Sequence, residues 1–238
     1  MEIDPFEVLR HEMGDYSTSL TTETRQTLRR LTNFKRYIAF TQLPERLFRE
    51  HIADSKGVID QDYLTVLFAF QLGLILPIPA NLLFASTIGP LGNFRESICT
   101  TRKIIACWNK SSNTPAIEAE LDGEDLLFYD RYLRDIRSLH KGSNGPFLFP
   151  GNDFNHRDQA EVSRKIKRIT QVNFRCSINW TTLRYIQAFA LLAQDANADA
   201  IASQFIGQTR NQSIEPLKLF VDQLRYDGML ASWPQIIR

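Results

Sequence analysis

The long uncharged stretch at 63–94 restricts the fold most, because it must be either a membrane span or part of a buried core. Pro77 and Pro79 interrupt it, and it lacks the basic flanks that orient a membrane helix. The part before the prolines, 64–76, has the length of a buried core helix, and 81–87 predicts a second short apolar helix. The sequence therefore predicts a helix pair inside a water-soluble domain, with no membrane as a partner.

Length and composition are those of an ordinary globular protein. The 238 residues, 43% hydrophobic and 23% charged, fit one large domain or two small ones and exclude disordered, collagen-like and coiled-coil classes. Cys99, Cys107 and Cys176 form no C-x-x-C pair, which argues against a disulfide framework and a cysteine zinc site. The amino-terminal residues are acidic and include no apolar signal segment, so a cytoplasmic location is expected.

Motifs for metals and cofactors are missing from the sequence. The four histidines are scattered without a pair at ligand spacing, and neither a P-loop nor a G-x-G-x-x-G loop occurs. Acidic residues at 122–130 are explained by the favourable interaction of carboxylates with a helix start. We therefore expect no metal site and no cofactor.

Positive and negative charges nearly cancel over the whole chain, but they are unevenly distributed along the sequence. The whole chain carries +1, whereas 156–184 contains seven basic and two acidic residues, a local charge of +5. Such a segment is typical either of a surface that contacts nucleic-acid phosphates or of an ordinary solvated helix face. Charge alone slightly favours the solvated helix face and leaves the nucleic-acid surface as the alternative.

Periodicity predicts a mainly α fold with a small antiparallel β-sheet. Residues 97–121 have the composition of a β-hairpin with a turn at 109–115. An amphipathic helix at 21–38 belongs to an amino-terminal arm, 1–42, which could cap the domain, bind a partner or touch DNA; the main domain is 43–238. The predicted helices are 21–38, 43–53, 64–76, 81–87, 122–140, 159–170, 181–194, 198–205 and 213–226.

Several strings in this order resemble the catalytic domain of the tyrosine recombinase (phage integrase) family, over about 43–220. Gln71-Leu-Gly-Leu-Ile75 followed by Ala80-Asn-Leu-Leu83 is similar to the family's Thr-Gly-Leu-Arg…Glu-x-Leu helix pair, and the hairpin occupies the place of its sheet. Phe147-Leu-Phe-Pro150 is similar to the segment before the family's basic helix. Thr181-Thr-Leu-Arg184 resembles the His-x-Leu-Arg motif, and 191–208 resembles the segment that ends in Gly-His.

The resemblance also locates the family's catalytic positions, and most of them are changed. The family cleaves DNA with a tyrosine nucleophile, and two arginines neutralise the phosphate in the transition state. An apolar side chain in place of an arginine cannot clamp a phosphate. An amide in place of a histidine cannot shuttle a proton near neutral pH. The matched positions are Ile75 for the first arginine, Lys110 for the lysine, Thr181 and Gln208 for the histidines, Arg184 for the retained second arginine, and Pro216 or Leu217 for the nucleophile.

The resemblance therefore implies a protein that binds double-stranded DNA without cutting it, as a regulator or accessory factor in mobile-element or phage DNA transactions. Recombinases hold DNA mainly through basic residues on backbone phosphates, which requires no catalytic residue. Arg184 could contact a phosphate or be a structural salt-bridge partner. The expected DNA-binding residues are Arg102, Lys110, Arg164, Lys165, Lys167, Arg168 and Arg184.

Two other functions are compatible with the same sequence. The chain could be an adaptor that docks on a partner recombinase, or on a second copy of itself, through its terminal helices at 21–38 and 213–238. It could also be an active recombinase with a displaced nucleophile, since Tyr226 is the nearest tyrosine downstream of the expected position.

Overall fold

A computed structural model of the chain describes ten stretches of the sequence, and the structural statements below concern these residues. They are 20–54, 59–75, 79–88, 97–98, 104–108, 115–121, 123–141, 145–151, 155–204 and 210–234.

The described part of the chain is mainly helical, in agreement with the predicted class. Its helices are α1 (Thr22–Arg30), α2 (Phe34–Thr41), α3 (Leu43–Asp54), α4 (Gln61–Ile75), α5 (Ala80–Phe84), α6 (Gly123–Arg131), α7 (Gln159–Phe174), α8 (Trp180–Ala193), α9 (Ala198–Gln204) and α10 (Arg210–Tyr226). Helix α6 continues into a π-helical turn, Tyr132–Ile136, and a 3-10 turn, Arg137–Leu139.

Short strands form two separate pairs within the described residues. Strands β1 (Thr87–Ile88) and β2 (Ser97–Ile98) are parallel, and β3 (Ile104–Trp108) and β4 (Pro115–Glu120) are antiparallel. The prediction of a helix through 81–87 was wrong at its end, because α5 stops at Phe84 and the chain then extends into β1. The tip of the predicted hairpin, 109–114, lies outside the described residues.

Helix α4 is the centre of the core and explains the uncharged stretch. Its residues from Leu64 to Leu74 are all buried, because other helices surround it. Phe68 stacks on Tyr132 with ring centroids 4.2 Å apart, and Phe128 and Phe149 pack around the same ring. Among the helices that the structure describes, none is both long and apolar enough to cross a membrane.

Helices α4 and α8 approach each other closely at Gly73. A β-carbon at this position would lie 2.6 Å from a methyl group of Leu183 and 3.0 Å from the Trp180 ring. Only glycine avoids this overlap without moving its neighbours. The contact fixes α8, and with it the start of the Thr181–Arg184 segment, against the central helix.

The helix predicted at 21–38 is instead two helices, α1 and α2. Helix α1 ends at Arg30, and the Thr32 hydroxyl donates to the Arg29 carbonyl. Asn33 then caps α2, since its side-chain oxygen accepts from the backbone N–H of Arg36. The break at residues 31–33 divides the predicted helix in two, which hydrophobic spacing alone did not reveal.

Both ends of the described chain pack against the main body. The Thr24 hydroxyl on α1 hydrogen-bonds that of Thr182 on α8 at 3.0 Å. Near the carboxyl end, the indole N–H of Trp233 donates to the Thr32 carbonyl at 2.6 Å, and its ring packs on Phe34 and Tyr37. The α1–α2 turn is thereby held from both sides.

Candidate nucleic-acid interface

Helix α7 carries most of the basic residues predicted to bind DNA, and its two faces are clearly separated. Asp158 caps it by accepting a hydrogen bond from the N–H of Ala160. Val162, Ile166 and Thr170 are buried, four residues apart, on the inner face. Arg164 and Arg168, also four residues apart, are exposed on the opposite face, as α-helical geometry requires.

Lys165 lies at the edge of this outer surface, where it lines a pocket with Arg168, Asp60 and Asp62, and it belongs to a cluster of ion pairs. Asp62, at the start of α4, accepts hydrogen bonds from both Lys165 and Arg157. Glu161 lies 2.7 Å from the Lys165 ammonium and 3.7 Å from the Arg157 guanidinium. The two cations are thus balanced by two carboxylates, so Lys165 offers little net charge to DNA.

Protonation of this cluster follows from burial and proximity. The hydrogen bond from Lys165 holds the pKa of Glu161 below its usual range. Arg157 is only 8% exposed, and burial lowers its pKa, although the neighbouring carboxylates oppose that effect. The arrangement ties the start of α7 to α4 and therefore fixes the direction of the outer face.

Arg164 and Arg168 keep their charge on the surface. Within the described ranges, neither has a carboxylate oxygen within 4.0 Å, and Arg164 contacts the Ala160 carbonyl at 3.4 Å. Lys167 is intermediate, since it lies 3.9 Å from Glu23 on α1. The outer face of α7 therefore presents two uncompensated guanidiniums and one weakly paired ammonium.

The other predicted DNA-binding residues are placed differently. Arg184 is only 7% exposed on α8, and burial lowers its pKa. Its guanidinium is thus part of the interior and is not brought together with Arg164 and Arg168. Arg102 and Lys110 lie outside the described residues.

The position expected for the first catalytic arginine, Ile75, lines a pocket of about 550 Å³. The amide of Gln71 donates to the Asp125 carboxylate there at 2.7 Å, and Glu45 also lines the pocket. Of the described residues that form this pocket, none is lysine or arginine, and Arg184 is not one of them. Glu45 pairs with Arg49, and Asp125 accepts from the Gln71 amide, so the described lining of the pocket offers no arginine or lysine side chain to clamp a phosphate.

The other residues expected at catalytic positions from the resemblance are placed as follows. Leu217 is fully buried in α10 and Pro216 is buried beside it. Thr181 is exposed in the first turn of α8, whose cap is Asn179, and Gln208 lies outside the described residues. Tyr226 is 67% exposed at the end of α10. In the described part of the chain, no group of three histidine, cysteine, aspartate or glutamate side chains could hold a metal ion.

Sequence reasoning did not assign Arg30, Arg36 or Arg175 to the interface. Arg30 and Arg36, on the arm, donate to the carbonyls of Arg175 and Phe174 at the carboxyl end of α7. The sequence contains part of the information, because the arm is rich in arginine and Arg175 lies in the basic segment 156–184. The distribution of charge along the sequence could not show that arginines more than a hundred positions apart meet in the fold.

Comparison with known proteins gives no match: no protein-family model, no curated protein and no solved structure is similar to this chain at a significant level.

Proposed function

We propose that this chain is a DNA-binding protein with a tyrosine-recombinase-like fold that holds double-stranded DNA without cutting it. It would act as a regulator or accessory factor in mobile-element or phage DNA transactions, inside the cytoplasm. The observation that carries DNA binding is the outer face of α7, where Arg164 and Arg168 are exposed without a carboxylate partner among the described residues.

The geometry of this face suits a phosphate backbone. Two side chains four residues apart on a helix are separated by a rise of about 6 Å, so they lie on one line along the surface. Guanidiniums bind phosphate oxygens through paired N–H donors, and contacts of this kind need no base recognition. The family resemblance assigns the same helix to DNA, which is a second reason for the proposal.

Absence of cleavage follows from the chemistry of the catalytic positions. An apolar Ile75 in a carboxylate-lined pocket cannot neutralise a phosphate, and a buried leucine at 217 has no hydroxyl to attack one. A neighbouring group can compensate for one loss, but the first arginine of the clamp and the nucleophile are both replaced here.

The adaptor hypothesis has less support, because the apolar faces of the terminal helices are already covered within this chain. Leu28 on α1 is buried, and so are four of the five α10 residues expected to dock on a partner, whereas the fifth, Leu219, is partly exposed. The four buried residues are Ile214, Leu217, Phe220 and Leu224. A docking function would require α10 to leave its own core.

Fluorescence anisotropy with labelled duplexes of mixed sequence, over a salt series, tests the proposal. We expect binding that weakens steeply with salt, since neutralising each phosphate releases bound counterions. The double variant Arg164→Glu/Arg168→Glu should weaken binding at least about tenfold. Arg131→Glu/Arg134→Glu, which makes the same charge change on exposed residues of another segment, should have a smaller effect. Equal losses in the two variants would contradict the assigned surface.

A further inference from the structure

The carboxyl end of α7 is built as a cluster of three arginines from distant parts of the sequence. Arg175 ends the helix in the left-handed conformation, with φ 55°, while its N–H still bonds the Gln171 carbonyl. Arg36 donates to the Phe174 carbonyl at 3.3 Å, and Arg30 donates to the Arg175 carbonyl. We call Arg30, Arg36 and Arg175 the carboxyl-end cluster.

The guanidiniums of Arg30 and Arg36 are fixed in place without being neutralised, because each donates to a backbone carbonyl at the end of α7. The partial negative charge of such a carbonyl attracts cations but does not cancel a full charge. Arg175 takes part through its own backbone carbonyl, which accepts from Arg30. All three side chains are exposed, and within the described ranges no carboxylate oxygen lies within 4.0 Å of them. An arginine has five N–H donors, so each retains donors for another acceptor.

The cluster continues the outer face of α7 and has defined borders. Arg175 follows Arg164 by eleven residues, a rise of about 16 Å, which is close to the length of five base pairs. The ion pairs of α3, Arg46–Glu50 and Arg49–Glu45, line a pocket together with Phe174 and therefore border the cluster on one side. The balanced cluster around Asp62 lies at the other end of α7.

We propose that the carboxyl-end cluster is a second phosphate-binding site, so that one duplex is held by α7 and by the arm together. This inference rests on the proposed DNA-binding function and adds the arm to it. A duplex following α7 from Arg164 reaches the cluster about half a helical turn later. The arm thus binds DNA while it also caps the domain.

Arg175→Gly is the most informative variant, because glycine accepts a positive φ more readily than arginine. This variant removes the positive charge of Arg175. The protein should still unfold at the same or a higher temperature. We expect about three- to tenfold weaker binding and a salt slope reduced by about 0.9, the value of one phosphate contact. Arg175→Lys keeps the charge and should retain most of the affinity. Arg30→Gln/Arg36→Gln should reduce the slope by about two contacts.

The possible results separate this inference from the proposed function. If Arg175→Gly and Arg30→Gln/Arg36→Gln bind like the parent protein while Arg164→Glu/Arg168→Glu does not, the second site is refuted and DNA binding by α7 stands. If Arg175→Lys loses as much affinity as Arg175→Gly, charge is not the cause and the inference also fails. If the parent protein shows no salt-dependent binding, both are overturned.

Discussion

Asp62 controls how much of the positive charge of α7 is available to a ligand. Its carboxylate accepts from Lys165, which would otherwise extend the row formed by Arg164 and Arg168, and from the buried Arg157. The same side chain therefore lowers the surface charge of the helix and stabilises a guanidinium that is mostly withdrawn from water.

Replacing Asp62 with asparagine should separate these two roles. We expect about two- to fivefold tighter DNA binding, since one negative charge leaves the surface, and a free energy of unfolding lower by about 1–3 kcal/mol, because Arg157 loses its shortest charged hydrogen bond. Anisotropy and urea unfolding measure the two quantities.

Asp135→Asn is the matched control for this prediction. Asp135 pairs with the exposed Arg134 at 2.8 Å, and a surface pair of this kind contributes little to stability. Asp62→Asn should therefore change both the DNA affinity and the free energy of unfolding more than Asp135→Asn does. Equal DNA affinity in the two variants would show that Asp62 does not limit the charge of α7.

At the scale of elements, the arm depends on the segment that follows α10. Trp233 closes the α1–α2 turn through its indole N–H, which donates to the Thr32 carbonyl, and through its rings with Phe34, Tyr37 and Phe189. A buried carbonyl that loses its donor costs more than a single average hydrogen bond contributes.

Trp233→Phe keeps most of the ring packing and removes the indole donor. We expect the free energy of unfolding to fall by about 1–3 kcal/mol. We also expect DNA affinity to fall, because the loosened arm no longer holds Arg30 and Arg36 at the end of α7. Urea unfolding and anisotropy at a temperature where the variant is folded provide the test. Unchanged stability would mean that the arm is held by other contacts.

The elements could largely be predicted where one local signal determines them. The apolar run of α4 and the alternation of buried Val162 and Ile166 with exposed Arg164 and Arg168 in α7 follow directly from the sequence. The division of the arm could not be predicted, since the Asn33 cap interrupts a spacing that continues as helical on both sides.

The site was less predictable than the helices, because its charges are set by tertiary contacts. Lys165 and Arg164 are adjacent in sequence and both carry a positive charge. Asp62, 103 positions before Lys165, pairs with Lys165 and not with Arg164. Arg184 matched a catalytic motif, whereas the fold buries it. Composition gives the amount of charge, and only packing determines which part of it remains exposed.

For the whole molecule, near-neutral charge is compatible with binding DNA because the charges are sorted by location. Paired carboxylates surround α7 at Asp62 and Glu161, while guanidiniums without carboxylate partners among the described residues follow its outer face. Affinity should therefore be moderate and should decline strongly as salt rises. The described lining of the pocket at Ile75 includes no lysine or arginine, which separates this pocket from the exposed cations of α7.

This separation predicts that the intact protein forms no covalent complex with DNA. On nicked suicide duplexes, which trap a phosphotyrosine by releasing the other product, we expect no band that survives denaturation, even at concentrations that saturate binding. Tyr226 is exposed at the end of α10, and the pocket at Ile75 lacks, among its described lining, the cations that phosphotyrosine formation requires. A covalent band that disappears in Tyr226→Phe would instead establish a displaced nucleophile. A band that persists in this variant would point to another one, and either result would replace the non-catalytic proposal with an active enzyme.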